Sequence, residues 1–130
     1  MPELPEVERG RLVADLVCRY RVIEDVFVED DASVFDEDDA RHVANALRGR
    51  TVLGVDRRGK YLWLALDQRP WPLVHFGMTG SFQAYAERER RPSACRLELL
   101  MEGGMRLGFD DARRFGRVRL RETPLESDPV

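Results

Sequence analysis

The chain has 130 residues, 43% of them hydrophobic and 35% charged, which suits one domain with a modest core and leaves little room for a second. No run approaches the roughly 18 apolar residues of a membrane span, and the acidic start lacks the basic-then-apolar order of a signal peptide. The expected setting is therefore intracellular, cytoplasmic or nucleoid in a bacterium and nuclear in a eukaryote, with no membrane partner. The net charge of −3 hides an asymmetry: residues 1–47 hold 5 basic and 13 acidic side chains, residues 48–121 hold 16 and 8, and residues 122–130 hold 0 and 3. The middle of the chain is thus a basic segment, which reads either as a solvated surface or as an electrostatic footprint for nucleic acid.

From Leu4 to Tyr20 apolar residues fall at 4, 7, 13, 16, 17 and 20, with Pro5 in the first turn and Glu6 and Glu8 at the positive end of the dipole, so a helix is predicted. A strand follows at Val22–Val28, then the acidic run Glu29–Asp31. Asp36–Asp39 opens a second helix with Ala40, Val43, Ala44 and Leu47 as its apolar face, closed by Arg48 and Gly49. Its four acids are expected to do no more than cap it.

After Gly49 the period changes from 3.6 to 2. Strands are predicted at Thr51–Val55, Tyr61–Leu66, Leu73–Phe76, Ser81–Tyr85, Leu97–Met101, Met105–Phe109 and Val118–Leu120. Glu102-Gly103-Gly104 is a hairpin signal. Strict alternation through Arg117-Val118-Arg119-Leu120-Arg121 puts three arginines on one face. The fold class expected is mainly β (α+β): a two-layer antiparallel β-sandwich or flattened barrel, with two α-helices packed at its ends. The polar tail 122–130 reads as the start of a linker.

Cys18 and Cys95 are too few for a disulfide scaffold or a four-cysteine zinc site, and neither His42 nor His75 stands at ligand spacing from another Cys or His. No metal and no cofactor are expected in this chain, and both thiols are expected to be buried or partly buried.

The first residues carry the sharpest chemistry. Met1 before Pro2 is normally removed, which would leave a secondary amine at the N-terminus. An α-amino group titrates near 7.7–8.0, so it is partly nucleophilic at neutral pH. A secondary amine condensing with an aldehyde-like carbon gives a permanently cationic iminium, an electron sink. Attack at C1′ of a nucleoside would displace the base and acidify the 2′ protons for loss of the 3′ phosphate. Glu3 stands where a carboxylic acid could protonate the sugar ring oxygen. Taken alone, the same two residues read more readily as a proline that precedes a helix and an acid that favours its dipole. Lys60 is the only lysine among 21 basic residues. A lysine there is usually a solvated strand edge, yet in a chain that otherwise uses arginine it marks a place for a compact, titratable ammonium. By periodicity alone, Met78 reads as core.

MPELPEVE at the start, RRGKYL at Arg57–Leu62, HFGMTG at His75–Gly80 and DARRFG at Asp111–Gly116 together closely resemble the N-terminal domain of the formamidopyrimidine-DNA glycosylase / endonuclease VIII family of base-excision repair enzymes, from residue 1 to about 121. The resemblance implies Pro2 as Schiff-base nucleophile, Glu3 as proton donor and Lys60 as a second catalytic lysine near the damaged nucleotide. It implies that Met78, Arg113 and Phe115 enter the duplex and fill the hole left by the extruded nucleotide, an apolar and aromatic wedge with a guanidinium for the orphaned base. Arg114 is then structural or phosphate-facing. The split of the wedge between two loops fits the formamidopyrimidine type, a bifunctional DNA glycosylase / AP lyase acting on oxidised purines in damaged double-stranded DNA as a monomer. The alternative is a non-catalytic relic or binding module that keeps the fold. The family's helix-two-turn-helix and zinc-finger domains fall outside these residues. The family's histidine-rich turn is replaced by Ser93-Ala94-Cys95-Arg96, where Arg96 is the expected substitute for the phosphate contact.

Overall fold

A computed structural model describes residues 2–30 and 33–123; most of the expected linker, residues 124–130, and Asp31 lie outside the described residues. In chain order the elements are α1 (Leu4–Cys18), β1 (Ile23–Val28), α2 (Ala40–Leu47), β2 (Val52–Arg58), β3 (Tyr61–Leu66), β4 (Trp71–His75), β5 (Ser81–Tyr85), β6 (Cys95–Met101), β7 (Arg106–Asp110) and β8 (Arg117–Arg121). The strands form two four-stranded sheets, ordered β1-β6-β7-β5 and β2-β3-β4-β8, and every pairing is antiparallel. This is the expected mainly β, two-layer sandwich. Among the described residues no helix is long and apolar enough to cross a membrane.

The period-2 reading follows from burial. Leu62, Leu64 and Leu66 of β3 face the shared core, because alternate side chains of a strand point to one face. Glu102-Gly103-Gly104 does turn β6 into β7, with Gly103 at φ +94 and Gly104 at φ +99, two successive left-handed residues that favour glycine. Phe76, Phe82 and Phe109 meet at ring separations of 5.2, 6.0 and 6.1 Å and fill the core beneath the loop that follows β4.

Three sequence expectations change. Helix α1 stops at Cys18 rather than Tyr20, because Tyr20 takes φ +62 and its N–H donates to the Val52 carbonyl. The buried stripe of α1 is Val7, Gly10, Ala14, Val17 and Cys18, while Leu4, Leu12, Leu16 and Tyr20 are exposed. Small residues on that stripe let α1 lie close against β5 of one sheet and β2 of the other. The third change concerns the acids before α2. Only Asp39 caps the helix, accepting from the His42 N–H at 2.8 Å. Asp36 and Glu37 instead pair with Arg119 and Arg121 of β8 at 2.7–3.1 Å, so the arginine row of β8 meets the chain's own carboxylates. Val34 and Phe35, which no strand or helix pattern flagged, are buried beside it.

Gly10 offers a test in which propensity and packing have opposite signs. Alanine in mid-helix gains about 1 kcal/mol over glycine, but a Cβ there would lie 2.8 Å from Cζ of Phe76, and overpacking costs about 1–3 kcal/mol. Gly10→Ala should lower the urea midpoint with an unchanged slope.

Candidate active site

Of the groups singled out in the sequence, Lys60, Met78, Arg113 and Phe115 come from loops at one end of the second sheet, while Pro2 and Glu3 stand ahead of α1. Arg58, Tyr61, His75 and Arg117 are directly paired across β2, β3, β4 and β8, and they form the last rung of that sheet. From this rung hang the Gly59–Lys60 turn, the loop carrying Met78, and the loop carrying Arg113 and Phe115.

The two wedge loops are locked together by one side chain. Asp111 is fully buried. Its Oδ1 accepts from the Thr79 hydroxyl at 2.7 Å and its Oδ2 from the Gly116 N–H at 2.7 Å. Its N–H donates to the Ala94 carbonyl at 3.0 Å, and its carbonyl accepts from Nε of Arg96 at 3.0 Å and from the Arg114 N–H at 3.3 Å. Thr79 Oγ1 also accepts from the Arg113 N–H at 3.3 Å. Two glycines make the approach possible. A Cβ on Gly77 (φ +66) would collide with the Phe115 backbone, and one on Gly116 would stand 2.8 Å from the His75 carbonyl. Met78 (41% exposed) and Phe115 (48%) therefore project from adjoining backbones. The Arg113 guanidinium lies 5.1 Å from the centre of the Phe115 ring. Met78 is on the surface and not in the core.

Pro2 is half-buried and Glu3 exposed. The Glu6 carboxylate accepts from the Glu3 N–H at 2.5 Å, a capping contact that fixes the residues ahead of α1. Pro2 and Met78 line one open groove of about 720 Å3 that also takes in Glu6, Arg9, Phe76 and Gln83. Lys60 does not line this groove. It is half-buried in the β2–β3 turn, and its charge acts on His75.

The basic segment is largely spent inside the molecule. Arg57 pairs with Glu8 (2.9 Å), Arg96 and Arg114 with Glu29 (2.7 and 3.1 Å), Arg48 with Asp25 (3.3 Å), and the β8 row with Asp36 and Glu37. These partners all lie in the acidic first 47 residues. Arg96 is buried, so it serves as a strut between Glu29 and Asp111 and does not face a phosphate. Arg114, at φ +57, is structural as well. Among the described residues around the site, Arg9, Arg58 and Arg113 have no carboxylate partner. Arg9 and Asp111 escaped sequence reasoning. The periodicity of α1 does not set Arg9 apart, and Asp111 entered only as the first residue of DARRFG, with no role of its own. His75 was weighed only as a metal ligand. Among the described residues no three His, Cys, Asp or Glu side chains are grouped to hold a metal ion.

Burial, together with the facing cations Lys60, Arg119 and Arg117, pushes the His75 imidazole below its ordinary value of 6.5. Its Nδ1 accepts from the Gly77 N–H at 3.1 Å, which requires the neutral ring. A depressed folded value contributes stability that is present above about pH 6.5 and is lost as pH falls through that value toward the folded one. His75→Gln should flatten this acid-side decline in urea midpoints measured across pH 5–7. Asp111→Asn leaves one buried N–H or hydroxyl facing an amide donor and should cost about 1–3 kcal/mol; Thr79→Val, which removes the hydroxyl's bonds to Asp111 and from the Arg113 N–H, should cost a comparable amount.

The family model "Formamidopyrimidine-DNA glycosylase N-terminal domain" matches residues 1–118. A formamidopyrimidine-DNA glycosylase of Arabidopsis thaliana is 33% identical over 143 residues, covering 100% of this chain and 37% of that protein. One from Cupriavidus pinatubonensis is 39% identical, covering 91% and 44%. Among solved structures, a complex of an LlFpg mutant with DNA containing THF superposes with a TM-score of 0.83 at 26% identity, covering 96% of this chain and 45% of that one. Lactococcus lactis formamido-pyrimidine DNA glycosylase bound non-covalently to AP-site DNA shares the fold, with a TM-score of 0.79 at 24% identity and coverage of 92% and 45%. The chain spans less than half the length of these relatives. It belongs to the formamidopyrimidine-DNA glycosylase family and carries the fold of that family's N-terminal domain.

Proposed function

We propose that this chain is the catalytic N-terminal domain of a bifunctional DNA glycosylase / AP lyase of base-excision repair, acting on oxidised purines in damaged double-stranded DNA. The observation that supports it best is the shared groove: Pro2 and Met78 line one cleft, and the loop bearing Arg113 and Phe115 is bonded to the loop bearing Met78. A nucleophile and a wedge side by side are what an enzyme needs to open a duplex and react with the nucleotide it expels. Residues 1–121 are the domain in this reading, and residue 122 onward begins a linker to the family's helix-two-turn-helix and zinc-finger parts. Zinc belongs to those parts.

In the reaction, the free amine of Pro2 attacks C1′ of the extruded nucleotide. The bond from C1′ to the base breaks, and the base departs with the electron pair and takes up the proton that the Pro2 nitrogen gives up on bonding to C1′. Glu3 gives a proton to O4′ as the C1′–O4′ bond opens, leaving the nitrogen joined to C1′ as an iminium. Loss of a 2′ proton then feeds electrons into that cation and expels the 3′ phosphate. Lys60 supplies a fixed positive charge for the phosphate of the reacting nucleotide. Met78 and Phe115 replace the lost stacking, and Arg113 bonds the orphaned base.

Protein with Met1 removed, incubated with abasic-site DNA and borohydride, should be trapped covalently through Pro2. A cross-link that maps to Lys60 and survives Pro2→Gly would rule the assignment out. Glu3→Gln should lose base excision far more than strand cleavage at a preformed abasic site, since that site has no base to expel. Residues 1–130 alone should bind DNA weakly and without lesion preference at about 0.15 M salt, where only close contacts act. Flipping a nucleotide costs a few kcal/mol, and most of the chain's arginines are already paired with its own carboxylates. Submicromolar, lesion-selective binding by these residues would contradict this.

A further inference from the structure

Three side chains along one side of α1 engage Val55 and Arg57 of β2. Oδ1 of Asp15 accepts from the Val55 N–H at 3.0 Å, and Arg11 donates to the Val55 carbonyl at 3.1 Å. Nearer the start of the helix, Glu8 accepts from Nε of Arg57 at 2.9 Å. Arg57 then donates from Nη1 to the carbonyl of Gly59 at 2.9 Å, one residue before Lys60. Arg11 also forks onto Glu8 at 2.8–3.1 Å. Two of these contacts clamp the Val55 peptide groups and the third falls two residues further on, about 6.6 Å along the strand. Together they fix how far β2 reaches along α1. Moving toward the amino end of the helix means moving toward the Lys60 turn.

We propose that the chain of contacts from Glu8 through Arg57 to the Gly59 carbonyl sets the position of the Lys60 ammonium relative to the Pro2 amine, with Arg57 a positioning residue for Lys60. The inference rests on the reading of Pro2 and Lys60 as reacting groups. It uses what distinguishes arginine from lysine: a planar guanidinium presents several donors in a fixed fork, so it can bridge a carboxylate and a carbonyl at once, whereas an ammonium is a single point charge. Gly59 takes φ +58, a left-handed conformation that aims its carbonyl back at Arg57 and that L side chains adopt at a cost. The anchor stays charged at neutral pH: hydrogen bonds from Arg11 and Arg57 hold the Glu8 carboxyl down at about 2.

Lys60 is the chain's only lysine, which permits a readout free of catalysis. Reductive methylation of the full chain with 13C-formaldehyde labels Lys60 and the α-amino group, whose signals resolve by carbon NMR. In the wild-type chain the Lys60 signal should be displaced from its position in the urea-unfolded chain. Arg57→Gln should move it toward the unfolded position and narrow it while the protein stays folded by circular dichroism. Arg57→Lys, in which the added lysine's signal is identified from Arg57→Lys combined with Lys60→Arg, should fail to restore it, since the charge is kept but the fork is lost. Gly59→Ala re-aims the same carbonyl without touching Glu8 and should move the signal too. A Lys60 signal unchanged in Arg57→Gln, or one fully restored by Arg57→Lys, would overturn the proposal. Borohydride trapping on unmethylated wild-type protein with Met1 removed reports separately: no trapping removes the reading of Pro2 as nucleophile, while the carbon spectrum still decides whether Arg57 positions Lys60.

Discussion

The carboxylate of Asp111 is shared by two loops, and the candidate wedge depends on that sharing. Buried carboxylates are costly unless they are fully bonded, and this one is: it accepts from the Thr79 hydroxyl, 32 positions away in sequence, and from the Gly116 N–H just ahead of β8. The backbone of the same residue ties to Ala94 and Arg96. Met78 on one side and Arg113 with Phe115 on the other thus arrive at one rim because their loops have one common acceptor. Glycine at 77 and 116 removes the side chains that would hold the loops apart. The aromatic trio of Phe76, Phe82 and Phe109 forms the floor beneath.

A second constraint is charge. The acidic first third of the chain and its basic middle neutralise each other in space, through Glu8, Asp25, Glu29, Asp36 and Glu37. These contacts place α1 and the segment before α2 against the sheets. They also leave little general attraction for a polyanion. Among the described residues, those around the site without a carboxylate partner are Arg9 in the groove, Arg58 beside the Gly59–Lys60 turn, and Arg113 on the wedge. Affinity for nucleic acid would then be concentrated where the candidate chemistry stands.

Much of the fold was legible because it is local. Alternation located the strands to within a few residues, the paired glycines marked the β6–β7 turn, and the second helix ran as its apolar face required. Long-range pairing was not legible. Nothing near Asp36 or Glu37 reveals that Arg119 and Arg121, more than 80 positions later, will take their charge, so capping was the natural reading. Likewise Arg96 looked available until its burial between Glu29 and Asp111 was seen. The α1 stripe was misjudged because leucines carry the hydrophobic signal, whereas the close contact with Phe76 needed Gly10. The positions of Pro2 and Met78 on one groove follow from α1 lying on the Phe76 loop, a contact that no single motif contains.

If the wedge is built into the free protein, the Gly116 amide is the proton to watch. It is buried, lies outside the regular strand ladder, and donates to the Asp111 carboxylate. Native-state hydrogen exchange on the chain without DNA should find it protected to the same degree as the central amides of β3 and β4, because it opens only when the two loops separate. Exchange of the Gly116 amide at the rate of an unstructured peptide, with β3 and β4 still protected, would show that the loops are not held together and would contradict a preformed rim.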